Sequence, residues 1–147
     1  MTHSNVSTRF HKLMGALAAA TLLCALGHSN PVVAADWKEE PAPTSVAGGW
    51  AMIDKDMAQL ESLIKAGKIG DLGSSAYGIA NAFKGVSQLS TSLPPDKLAD
   101  VQASVKVVGS QASKIDKAGE HNDTAGVQTN LQALKATLAK VRAYYPQ

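Results

Sequence analysis

Four stretches of this chain carry an apolar residue at every third or fourth position, and only short breaks separate them. Trp50, Ile53, Met57, Leu60 and Ile64 form the first. Ile69, Leu72, Ala76, Ile79, Phe83, Val86 and, after Ser90, Leu93 form the second. Leu98, Val101, Val105, Val108, Ala112 and Ile115 form the third, and Val127, Leu131, Leu134, Leu138, Val141 and Tyr145 the fourth. Such spacing lays one apolar stripe along a helix and is the seam of helices packed near 20°. An isolated amphipathic helix is marginal in water, so the stripes must be buried against one another. Helices joined by so few residues run antiparallel. The prediction is an all-α, up-down-up-down four-helix bundle over 50–147.

The breaks carry the chemistry of helix ends. "AGK" offers Gly67 for a left-handed C-terminal cap. "TSLPPDK" ends the second helix, and Pro95 with Asp96 suits the first turn of the third, where a missing N–H costs nothing and an acid meets the helix dipole. "AGEHNDT" offers Gly119 to stop the third helix and Asn122 or Asp123 to cap the fourth. Glu61 and Lys65 stand four apart in the favourable order for an exposed ion pair.

Upstream of the stripes the chain changes character twice. Residues 36–49, "DWKEEPAPTSVAGG", hold Pro41, Pro43, Gly48 and Gly49 and read as a flexible, extended arm. Residues 1–12 carry Arg9 and Lys12 with no acid, and 13–26, "LMGALAAATLLCAL", are apolar or small throughout. Val33 and Ala35 then occupy the small-residue positions that precede cleavage. This is the pattern of a secretory signal peptide over 1–35, and the apolar run is shorter than the ~20 residues a membrane span needs. The chain is expected to reach the periplasm, with no membrane span once the signal is removed.

Removal of 1–35 takes Cys24, His3, His11 and His28, leaving no thiol and one histidine, His121. Arg9 and Lys12 go too, so the basic and acidic residues that remain balance. That neutrality argues against a nucleic-acid partner, which requires a basic stripe. The stripes carry no Asp, Glu, His, Lys or Cys, whereas an acid–base site needs titratable side chains that converge in a pocket. No enzyme activity is expected. His121, between Glu120 and Asp123, is the candidate metal ligand, as a weak surface site.

"DKDMAQLESLIKAGK" at 54–68 and "LKATLAKVRAYY" at 134–145 resemble the first and last helices of the periplasmic cytochrome b562 family, and "KAGEHNDTAGVQ" resembles its third connection. The resemblance spans about residues 52–145. In that family a methionine of the first helix and a histidine near the end of the fourth hold a haem. Met57 matches the methionine, while Arg142 or Tyr145 stands where the histidine belongs. No Cys-x-x-Cys-His motif is present for covalent haem attachment of the cytochrome c′ kind. The resemblance implies a divergent b-type cytochrome, with haem b on Met57 and Tyr145 and with Arg142 favouring the tyrosinate over its ordinary pKa of about 10. Without haem, Met57 is a space-filling core residue. "SLPPDKLADVQASVKVVGSQASKIDKAGEHND" at 92–123 and "LKATLAKVRAYYP" also resemble uncharacterised small proteobacterial periplasmic helical proteins, some encoded beside heavy-metal efflux systems. That second resemblance implies an accessory role in metal or stress response.

The second helix is unusual in its glycines. Gly73, Gly78 and Gly85 lie off the apolar stripe, and each costs about 1 kcal/mol against alanine in a helix interior. Gly78 and Gly85 share a face flanked by Tyr77 and Lys84, which is expected to be a docking surface for a protein partner or a second copy. Taken together, the sequence reads as an exported, non-enzymatic helical-bundle binding or accessory protein with no resident cofactor. The alternative is the haem-binding electron-transfer protein.

Overall fold

The computed structural model describes residues 41–145. The expected signal peptide, 1–35, and the first five residues of the expected arm, 36–40, lie outside them. Four helices follow one another: α1, Val46–Lys65; α2, Gly73–Leu89; α3, Pro95–Glu120; and α4, Thr124–Arg142. Close packing runs α1–α2, α2–α3 and α3–α4, which makes an antiparallel all-α bundle. A single 3₁₀ turn, Ile69–Asp71, joins α1 to α2 and rests on α3. No helix among the described residues is long and apolar enough to cross a membrane.

The stripes form the core. Leu60, Leu72, Ile79, Phe83, Val101, Val108, Ile115, Leu134 and Val141 are fully buried, and each large side chain so placed contributes about 1.5–3 kcal/mol. Met57, Ile64 and Val105 are half-buried against them. The buried face of α2 is wider than its stripe and includes Ser75, Ala82, Gly85 and Ser87. That width follows from position: α2 packs on α1 and on α3.

The helix ends agree with the sequence at some points and correct it at others. Gly67 takes φ +72°, its N–H reaches the Ile64 carbonyl at 3.0 Å, and Lys68 N–H reaches Leu63 at 2.9 Å. This is the glycine-capped end expected for α1. Pro95 and Asp96 open α3 as expected. Gly119, however, does not stop α3. It lies buried inside the last turn, where the Ile69 carbonyl comes so close that a Cβ would collide with it. The left-handed residue is Asn122, at φ +54°, and Asp123 caps α4 by accepting the Gly126 N–H at 2.9 Å. Asparagine tolerates that backbone region better than most residues.

α1 begins four residues earlier than the arm boundary at 49 implied. Ser45 caps it by accepting the Gly48 N–H at 3.0 Å. Gly49 is buried, and a Cβ there would meet Val86 and the Pro43 ring. Residues 46–49 are therefore helix, and Pro43 is packed. Glu61 does not serve as an i,i+4 partner on its own helix; it reaches across to Lys135 of α4 at 2.5 Å.

Candidate functional site

α1 and α4 are the neighbours that do not pack closely backbone to backbone. Between them lies a cleft of about 200 Å³. Trp50, Ile53, Asp54 and Met57 line it from α1, and Lys135, Leu138, Ala139 and Arg142 from α4. Each set repeats at three and four, so each is one stripe of its helix. Trp50, Ile53, Met57 and Leu138 belong to the core stripes and give the cleft an apolar floor, while Asp54, Lys135 and Arg142 flank those stripes and put charges at its rim.

Two ion pairs bridge the rim. The Arg142 guanidinium donates to both Asp54 oxygens, at 2.5 and 2.9 Å, and Lys135 meets Glu61. The Asp54 hydrogen bonds hold the Arg142 pKa above its ordinary value. Both pairs are solvent-exposed, so each contributes ~0–1 kcal/mol. Arg142 also lies over the Trp50 ring, 5.1 Å from its centre, an attractive placement of a cation on an aromatic face.

Trp50 is the centre of the aromatic contacts at this end of the bundle. It is 5% exposed and meets Phe83 and Tyr145 edge-on, at 6.1 and 5.7 Å between ring centres. Its indole N–H is buried without an acceptor among the described residues. Such a donor carries a desolvation penalty of about 1–3 kcal/mol.

The residues singled out from sequence fare unequally. Met57 and Arg142 share the cleft. Tyr145 does not line it: its hydroxyl pairs with Ser90 at 2.6 Å, and Ser90 in turn donates to the Val86 carbonyl at 2.5 Å. Since Ser90 has one proton and gives it to Val86, Tyr145 is the donor. Burial raises the Tyr145 pKa, opposite to what a ligating tyrosinate needs, and Arg142 is engaged with Asp54. His121 is exposed in the turn after α3, at the far end of the bundle, and no group of three or more metal-ligating side chains occurs among the described residues.

The proposed face on α2 is corrected. Gly85 is buried under the Pro43 ring, and Gly78 lies beneath the Asp56 carboxylate of α1. Gly73 meets Asp116 of α3, and the exposed Tyr77 hydroxyl donates to the same carboxylate at 3.3 Å, while Lys84 is exposed. Tyr77, Gly78, Lys84 and Gly85 thus do not make one outward surface. The close approach that glycine permits occurs within the chain, against α1 and the segment leading into it.

Asp54 and Lys135 escaped the sequence reading because they lie outside the apolar stripe. Their legible signal was opposite charge on the flanks of helices that antiparallel running makes neighbours. No family model, curated protein or solved structure matches the chain in comparison with known proteins. What the described residues show is a four-helix all-α domain.

Proposed function

We propose that the protein is an exported, non-enzymatic accessory protein that binds a small ligand in the α1–α4 cleft. The observation that supports this most is the cleft itself: an apolar floor between two helices, a buried tryptophan wall and a charged rim. Ligand sites between the helices of bundles are built this way. The Arg142 and Lys135 cations at the rim are held in ion pairs, an arrangement suited to orientation rather than proton transfer. Export rests on the leader pattern at 1–35, and a link to metal or stress response on the resemblance at 92–123.

The test is a titration of the exported chain with 2-naphthalenemethanol, a neutral aromatic probe, followed by amide NMR. Saturable shifts confined to Ile53, Met57, Leu138 and Ala139 are expected, with their loss in Leu138→Trp, which fills the cleft. Shifts that are absent at millimolar probe, or that persist in Leu138→Trp, overturn the reading.

One observation favours haem as a second reading: Met57 stands in the cleft wall. A Soret band in protein from an exporting host, altered by Met57→Ala, would establish it. A colourless chain indifferent to haemin would retire it.

A further inference from the structure

Resting on the cleft reading, we infer that the ligand is an aromatic carboxylate of one or two rings, whose carboxylate takes the Arg142 guanidinium from Asp54. Four observations converge on that chemistry. The first is charge: the rim's two cations, Arg142 and Lys135, are each balanced by one carboxylate, Asp54 and Glu61, so a ligand carboxylate that takes Arg142 replaces a group of its own charge. The second is shape. A guanidinium is a rigid planar fork that matches a carboxylate through two parallel hydrogen bonds. Asp54 already occupies that fork with both oxygens, at 2.5 and 2.9 Å. The chain's own carboxylate thus stands where the ligand's would, and the exposed pair is weak enough to exchange.

The third is size. A cavity of about 150 Å³ suffices for benzene, so a cleft of about 200 Å³ suits one or two rings. The fourth is the wall. Trp50, Met57 and Leu138 offer aromatic, thioether and aliphatic surface to a ring. Aromatic and sulfur contacts with a ring are each favourable. The exchange breaks two hydrogen bonds within the chain and makes two to the ligand, so its driving force comes from burying the ring.

The test compares 2-naphthoate with 2-naphthalenemethanol on the exported chain carrying Trp37→Phe. The remaining indole N–H resonance then reports Trp50. Naphthoate is expected to bind about tenfold more tightly than the alcohol and to shift the Trp50 signal. Asp54→Asn removes the internal competitor and should tighten naphthoate binding about tenfold, widening the preference for naphthoate over the alcohol. Arg142→Gln should abolish the preference for naphthoate, and Arg142→Lys, which keeps the charge but loses the fork, should fall between them. Circular dichroism of each variant checks that the helices persist.

Equal affinity for acid and alcohol, or an Asp54→Asn variant no tighter for naphthoate, overturns the carboxylate inference and leaves the cleft reading standing. Failure of both probes to shift any cleft resonance overturns the two together. Preference for 2-naphthylmethylammonium over naphthoate reverses the sign of the site and also overturns the inference.

Discussion

Asp100 ties down the end of α4 with a single carboxylate. The Tyr144 hydroxyl donates to it, Lys140 meets it at 2.9–3.0 Å, and Lys97 sits over the Tyr144 ring. The Tyr144 hydrogen bond, then Lys140, lowers the Asp100 pKa from its ordinary 3.8. Bonding to Asp100 raises Tyr144 above 10.0 and Lys140 above 10.5. The signs then fix a window. A depressed carboxylate stabilises above its ordinary pKa, and that stabilisation is lost as pH falls through the lowered value. The raised phenol and ammonium stabilise below their ordinary pKa values and lose this as pH rises through the raised ones. The latch is complete between these limits. Urea denaturation across pH should therefore show Asp100→Asn losing less than wild type at both extremes, and parallel curves would refute the assignment. Ser90 and Tyr145, 55 positions apart, show what sequence leaves hidden at this scale. Each is legible as an interruption in an apolar stripe. That the two interruptions satisfy one another depends on the relative lengths of α2, α3 and α4, and no local pattern encodes that register.

At the scale of elements, α3 offers one substitution with two opposite outcomes. Gly109 has no atom within 4 Å of where a Cβ would sit, whereas Gly119 lies under the Ile69 carbonyl. Gly109→Ala should stabilise the protein by up to about 1 kcal/mol through helix propensity. Gly119→Ala should destabilise it by roughly 1–3 kcal/mol, because the obstructing atom is backbone and the 3₁₀ turn must move. Chemical denaturation of both variants checks the contrast, and a common sign would contradict the packing described. The four helices were legible because one stripe of apolar residues every 3.6 positions survives any choice of surface. The glycines were not. A helical glycine reads alike whether it faces solvent, Asp56, Pro43 or a carbonyl, and only the neighbour's position decides. The arm failed for a related reason: proline and glycine read as extended, but Ser45 caps a helix and Pro43 packs on Gly49 and Gly85. At the candidate site, Met57 and Arg142 were legible through a resemblance. Asp54 and Lys135 required the pairing of two helix flanks to be known.

Over the whole molecule, packing is uneven. α2 and α3 each have two close helical partners, and α1 and α4 have one each, with ion pairs bridging the gap between them. Cooperative opening follows the weakest boundary. Hydrogen exchange should therefore find the slowest amides in α2 and α3, with α1 and α4 opening first along the cleft. Slowest exchange in α1 would mean that the cleft is better closed than its contacts indicate. Trp50 gathers Phe83, Tyr145 and Arg142 at one pole, and Pro43 seats on Gly49 and Gly85 at that same pole, opposite the turns at Gly67 and Asn122. The described chain thus enters and leaves on one side, which makes it a candidate for circular permutation: a short linker across the Trp50 pole, with new termini opened at Asn122, would reorder the rods along the chain without rearranging them in space.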